Sequence, residues 1–171
     1  MTLKPADVVA FVKKHVPHAH HQSPVPEPLT VMVVDDEEPV RRHVARVFAE
    51  VGIVPVLAAD GPEALAKLPA LGGRLFLVTD LKMPGMGGED LARLFREQRP
   101  ELKVLYLTGF ADRLFTERGI LSDNEAFLEK PFSPNGLLEA VALLVTGHPS
   151  VEALKQAAAV APPTPPPATT K

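Results

Sequence analysis

The sequence predicts an α/β fold: a five-stranded parallel sheet with helices on both faces. Three observations carry that expectation. Short apolar runs recur five times between residues 29 and 128, each followed by a stretch whose apolar positions fall mostly at helical spacing. The runs are apolar throughout rather than at alternate positions, the pattern of strands covered on both faces, as parallel strands are. Proline marks the ends: of 19 prolines, five lie in residues 1–28, five in 162–167 and one at Pro149, with only eight between 29 and 147. That leaves a core of about 120 residues, enough for one proper hydrophobic interior.

The elements follow in order. Residues 1–16 predict a short helix, with Thr2 as cap, Pro5 in the first turn and Val8, Val9, Val12 and Val16 in a rough stripe. It is too short to be stable without a surface to dock on. Residues 17–28 (PHAHHQSPVPEP) read as an extended Pro/His-rich linker. Leu29–Val34 is the first strand. From Pro39 the period changes, and Val40, Val44, Val47, Phe48 and Val51 line one face of a helix stopped by Gly52. Ile53–Ala58 is the second strand. Asp60-Gly-Pro-Glu63 is a capping box that opens a helix carrying Ala64, Leu65 and Leu68, closed by Gly72-Gly73.

Leu75–Thr79 is the third strand. After the loop Asp80–Gly88, the residues Leu91, Leu94 and Phe95 mark a helix ended by Pro100. Val104–Leu107 is the fourth strand, followed by a less regular helical stretch over 111–119. Ala126–Leu128 is a short fifth strand. Ser133 caps and Pro134 opens a helix with Leu137, Leu138, Val141, Leu144 and Val145 inward. Residues 148–160 read as an Ala-rich continuation of that helix, and 161–171 as a Pro-rich tail.

Composition excludes several chemistries. With no cysteine there is no disulfide framework, thiolate metal site or thiol nucleophile. No run of 18 apolar residues is present, and Lys13 and Lys14 interrupt the only apolar stretch near the N-terminus. A cytoplasmic protein with no membrane partner is the expectation. Residues 29–147 hold 13 basic and 18 acidic side chains, a balance that argues against a nucleic-acid groove.

In open α/β sheets, ligands bind beyond the carboxyl ends of the strands. Strand one ends in Asp35-Asp36, strand three in Asp80, strand four in Thr108, and strand five in Glu129-Lys130-Pro131. Strand two, expected at the edge, offers only Ala58 and Ala59. Three carboxylates within ~4 Å of one another would repel by about 4 kcal/mol per pair at an effective dielectric of about 20. One lysine does not offset that; a divalent cation with hard oxygen ligands does, which points to Mg²⁺, with Mn²⁺ as the alternative. The remaining groups fit a phosphoryl acceptor: Asp80 as carboxylate nucleophile, Lys130 and the Thr108 hydroxyl as partners for phosphoryl oxygens, and Gly109 leaving room. Glu37 and Glu38 read as helix-start charges. Lys82 is either a pocket-facing cation or a solvated loop residue, and Tyr106 reads as strand packing. His15, His18, His20 and His21 sit in a linker with no fixed geometry, so they are not taken as a metal site.

The stretches VMVVDDEEP, LVTDLKMPGMGG, VLYLTGF and FLEKPFS, in this order and spacing, resemble the receiver domain of bacterial response regulators, over about residues 29–147. The VLYLTGF stretch is similar to receivers attached to hybrid sensor kinases. The resemblance implies a flavodoxin-like strand order of 2-1-3-4-5. It implies Asp80 as phosphoacceptor, Thr108 as switch hydroxyl and Lys130 as the pocket lysine, across a cis bond to Pro131. It implies a metal held by Asp35, Asp36 (the more direct ligand), Asp80 and the backbone carbonyl of Lys82. The family's aromatic switch position falls on Phe127, which has no hydroxyl to solvate and is expected to prefer burial.

The expected organisation is therefore a helix over 1–16, a linker over 17–28, a receiver over 29–147 and a mostly disordered Ala/Pro-rich tail over 148–171. The expected function is a signalling switch rather than a metabolic enzyme. A histidine kinase or histidine phosphotransfer protein would be the donor and a downstream protein the target, with no DNA-binding domain. Output would run through the 111–119 helix, the fifth strand and the helix from Pro134; a homodimer is compatible with this. Three rivals stand beside it. A flavodoxin-like mononucleotide-binding protein needs a Ser/Thr/Gly phosphate loop after strand one, where this chain has acids. An aspartyl-nucleophile, Mg²⁺-dependent phosphatase usually carries an acid two residues past the nucleophile, where this chain has Lys82. A receiver-like dimerising scaffold without phosphorylation would not need the intact pocket.

Overall fold

The computed structural model describes residues 27–109 and 122–159. The expected helix over 1–16, most of the linker, the 111–119 stretch and the tail beyond 159 lie outside the described residues. Five apolar runs form the parallel strands β1 (Leu29–Val34), β2 (Val56–Ala58), β3 (Arg74–Asp80), β4 (Lys103–Thr108) and β5 (Glu125–Glu129), in the order β2-β1-β3-β4-β5. The helices are α1 (Glu38–Ala49), α2 (Gly61–Lys67, with a 3₁₀ turn at Leu68–Ala70), α3 (Gly88–Gln98), α4 (Pro134–Thr146) and α5 (Val151–Ala158). Fold class and strand order are those expected.

Alternation along the strands divides the interior in two. Val31, Val33, Phe76, Val78, Leu105, Leu107, Ala126 and Leu128 face a core shared with α1 and α4. Met32, Val34, Leu75, Leu77, Val104, Tyr106 and Phe127 face the other core, shared with α2 and α3. Because both faces are covered, nearly every strand position must be apolar, which is why the runs looked continuous.

Capping residues act where expected. Asp60 accepts the amide of Glu63 at 2.8 Å, and Ser133 that of Gly136 at 3.0 Å. Gly52, at φ +77°, ends α1; its amide donates to the Ala49 carbonyl and that of Ile53 to Phe48, closing the orphan carbonyls of the last turn.

Two expectations need correction. The second strand was expected over 53–58, but only Val56–Ala58 pair with β1. Pro55 lacks the amide a ladder needs, and Val54 is 89% exposed. The segment after 147 was expected to continue the preceding helix or to be mostly disordered. Instead Gly147, in the left-handed region at φ +79°, ends α4. Ser150 then caps α5, which turns by 61° relative to α4. No single described helix is long and apolar enough to cross a membrane.

The reason α5 docks lies in α4 itself. From Gly136 to Val145 only Glu139 escapes full burial. A helix apolar on all sides needs cover on all sides; the sheet and α1 supply one side, and α5 packs on α4 with Leu154 fully buried. We expect Leu154→Ala to cost about 2–4 kcal/mol of unfolding free energy in a urea titration. A loss below about 0.5 kcal/mol, the size of an ordinary surface change, would show that α5 is not docked.

Candidate functional site

The strand registers bring one set of residues to a common edge. Val34 pairs with Thr79, Asp80 with Leu107, and Thr108 with Glu129. The side chains that follow these pairs therefore meet beyond the carboxyl ends of β1, β3, β4 and β5.

Asp35 is wholly buried. Its Oδ1 accepts the Glu37 amide at 2.9 Å and its Oδ2 the Lys130 ammonium at 2.9 Å. Arg41 donates to its carbonyl at 2.5 Å, tying the start of α1 to the end of β1. Asp80 is 9% exposed; its Oδ1 accepts the same Lys130 ammonium at 2.9 Å, and its Oδ2 the Lys82 amide at 3.0 Å. The loop after Asp80 is held by Leu81 N donating to Leu107 O and Gly88 N donating to Leu81 O, both at 3.0 Å. Gly88 is required here, since a Cβ would lie 2.3 Å from the Asp80 carbonyl oxygen. Lys130 is set in place by its own amide, which donates to the Thr108 carbonyl at 2.8 Å, and is followed by a cis bond to Pro131.

One ammonium thus bridges two carboxylates in a site largely removed from water. Burial pushes the Asp80 carboxyl above its ordinary value; Lys130 pulls it down but does not prevail, and Asp35 adds to the rise. For Lys130, burial acts to lower the value, but hydrogen bonds to Asp80 and Asp35, together with their charges, outweigh it and the ammonium is held above its ordinary range.

The structure brings Asp35, Asp80 and Lys130 into contact and buries Thr108 at the end of β4. Asp36 is exposed, so two carboxylates rather than three share the buried centre. Among the described residues no three carboxylate or imidazole side chains are grouped as a metal centre. The expectation of three acids in contact is corrected accordingly: Lys130 lies 2.9 Å from both buried acids, with the exposed Glu37 carboxylate 3.9 Å from the same ammonium, and one positive charge offsets the pair only in part. The donor set still fits Mg²⁺, which takes one or two carboxylates and keeps several waters: every candidate ligand is a hard oxygen, and Asp80 is a carboxylate held up in energy that a cation would relieve. Phe127 is buried, 3% exposed, as expected of a ring with no hydroxyl.

Sequence reasoning missed one feature. Tyr106, taken for simple packing, donates its hydroxyl to the buried carboxylate of Glu125 at 3.0 Å, and Arg96 of α3 reaches the same oxygen at 2.9 Å. The sequence shows only a tyrosine in an apolar strand and an acid at the start of the next, with nothing that pairs them.

The model of the response regulator receiver domain matches residues 31–142, well over half of the chain. The chain belongs to this family. Receivers are signalling modules of two-component systems and work with histidine kinases. This receiver is 35% identical over 113 residues to the sensor kinase CckA of Brucella abortus, covering 66% of this chain and 12% of that one. It is 32% identical to the transcriptional regulator FixJ of Rhizobium meliloti, covering 66% of this chain and 54% of the other. The chain therefore spans only part of the relatives it matches. Among solved structures it resembles the response regulator TrrA of Thermotoga maritima in complex with Mg²⁺ and BeF, at 26% identity and a TM-score of 0.60, covering 69% of this chain and 99% of the other. It also resembles the receiver of the hybrid histidine kinase CckA, at 30% identity and a TM-score of 0.57, covering 68% and 99%.

Two stability measurements test the electrostatics of the receiver's pocket. Asp80 binds a proton more readily folded than unfolded, so the stability linked to it is present at low pH and lost as pH rises from 3.8 through its folded value. Asp80→Asn should therefore melt higher than wild type at neutral pH, the gap shrinking as pH falls toward 3.8. Lys130→Met leaves two buried acids facing each other. It should lose about 2–3 kcal/mol at neutral pH, less than the roughly 3–5 kcal/mol of a fully buried pair because Lys130 is 22% exposed. Equal melting temperatures across pH for Asp80→Asn and wild type would contradict the raised carboxyl.

Proposed function

We propose that this receiver accepts a phosphoryl group on Asp80 and uses the resulting charge to alter a protein-interaction surface. The observation that carries this reading is the Lys130 ammonium shared between Asp35 and Asp80 at the carboxyl edge of the sheet. It poses a desolvated carboxylate as nucleophile and leaves a cation beside the place where phosphoryl oxygens would arrive.

In the transfer, an Asp80 oxygen attacks phosphorus and the P–N bond of a phosphohistidine breaks. The electron pair returns to the imidazole, which leaves neutral when its other nitrogen carries a proton. The product is an acyl phosphate on Asp80. Lys130 then pairs with a phosphoryl oxygen in place of the Asp80 oxygen it loses, and the Thr108 hydroxyl donates to another. The Lys82 amide, now on Asp80 Oδ2, keeps the carboxyl oriented. Asp36, Asp80 and the Lys82 carbonyl, with Asp35 behind them, would hold Mg²⁺. When bound, the ion supplies charge neutralisation for the transferring group.

A histidine kinase or histidine phosphotransfer protein is the donor in this reading, and the partner downstream is a protein. The chain is a phosphoacceptor that assists its own modification, not a turnover enzyme. The exposed Lys82 stands where a phosphatase of the aspartyl type would need an acid, which leaves hydrolysis of phosphate esters without its proton donor.

The test is incubation with acetyl phosphate and Mg²⁺, followed by mass measurement. We expect one phosphoryl adduct, stable in acid and labile in base, absent in Asp80→Ala and formed at least roughly tenfold more slowly with the metal chelated. An adduct that persists in Asp80→Ala, or none in wild type, overturns the reading.

A further inference from the structure

Glu125 is a buried carboxylate that the acceptor chemistry leaves unused. Its side chain is 5% exposed and stands at the start of β5. Groups from β4, α3 and the segment before β5 meet on it. Tyr106 of β4 donates its hydroxyl to Oε1 at 3.0 Å. Arg96, in the last turn of α3, brings Nη2 to 2.9 Å from the same oxygen, a charge contact whose N–H is aimed off the line of a hydrogen bond. The Ser122 amide, just before β5, donates to Oε2 at 3.3 Å. A buried carboxylate is tolerated only when it is paired and hydrogen-bonded, so these contacts hold or fail together.

The position of the cluster matters more than its strength. Helix α3 has 11 residues, about 16 Å of rigid rod. Its first residue, Gly88, lies against the Asp80 carbonyl, and Arg96 in its last turn lies against Glu125. On the sheet, Tyr106 is the register partner of Phe127 and stands two residues before Thr108 on the same face of β4. The cluster therefore touches both routes out of the pocket: the helix that begins at the Asp80 loop, and the strand that ends in the Thr108 hydroxyl. Sliding α3 against β4 and β5 would stretch a contact while the carboxylate stayed buried, so the cluster favours the arrangement seen with Asp80 unmodified.

We propose that Arg96, Glu125 and Tyr106 form a buried latch that holds the receiver in its unphosphorylated arrangement, with Tyr106 a positioning residue for phosphoryl acceptance at Asp80. This rests on the acceptor role proposed for Asp80. Weakening the latch makes the switched arrangement easier to reach, and acceptance faster.

Tyr106 is the single tyrosine in a chain with no tryptophan, so its emission reports on the latch directly. A carboxylate hydrogen-bonded to a phenol quenches that emission. Adding Mg²⁺ and beryllofluoride, a phosphoryl mimic, to the full chain should raise tyrosine emission in wild type, and leave it unchanged in Asp80→Ala. With acetyl phosphate and Mg²⁺, Tyr106→Phe and Glu125→Gln should form the adduct roughly five- to tenfold faster than wild type, the low end of ordinary coupling. Tyr106→Phe keeps the ring and its packing but takes a donor from a buried carboxylate, so its urea midpoint should fall modestly while the protein stays folded. Wild-type adduct formation with unchanged rates in both variants, or emission that ignores beryllofluoride, overturns the latch alone. No adduct in any of the proteins overturns the acceptor reading and the latch with it.

Discussion

A single ammonium between two carboxylates is the interaction on which the rest of this receiver turns. Lys130 reaches Asp35 and Asp80 from a strand that is not adjacent to either of theirs; β4 stands between β5 and β3. For the contact to exist, four strands must run parallel and end level, and the chain after β5 must turn back over the edge. The registers from Val34 to Glu129 meet that demand. The loop after Asp80 meets it too, through Gly88 and the paired amides of Leu81 and Gly88. The charge balance is deliberately incomplete in energetic terms: desolvation leaves Asp80 above its ordinary value despite the lysine. A carboxylate in that condition responds to any further cation or to its own neutralisation, which suits a group meant to change state.

The apolar interior supports this edge and is not itself the device. Two cores, one on each face, fix the strands so tightly that small events at the edge have few ways to dissipate. On the α2–α3 side the core is not wholly apolar. Tyr106, Glu125 and Arg96 place one polar node among packed side chains, and polar nodes have preferred states where apolar packing is more forgiving. On the other side, α4 is apolar around nearly its whole circumference and is completed by α5. That helix lies beyond residues 31–142, which the family model matches.

Much of this was legible in the residues. Continuous apolar runs gave away strands buried on both faces, and acids, a threonine and a lysine at their ends pointed to one pocket. What was not legible has physical reasons. Pro55 ends pairing before Val56, but an apolar run alone does not say which residues have ladder partners. The Ala-rich stretch after Gly147 looked like continued helix or loose tail, because helical period does not show what a helix packs against; the excess of apolar residues in α4 was the missing clue. Three acids in the right places suggested three acids in contact, but adjacent residues at a strand end point to opposite sides, so Asp35 is buried and Asp36 exposed. The Tyr106–Glu125 bond joins two strands, and no local pattern reports a contact of that kind.

The central claim is that Asp80 is a desolvated carboxylate that Lys130 only partly compensates. Carboxyl ¹³C NMR titration of Asp80 measures this directly. The account predicts that Asp80 titrates above 3.8 in the folded protein, moves higher in Lys130→Met, and falls when Mg²⁺ is added. An Asp80 that titrates at or below 3.8 and ignores both the lysine and the metal would contradict it.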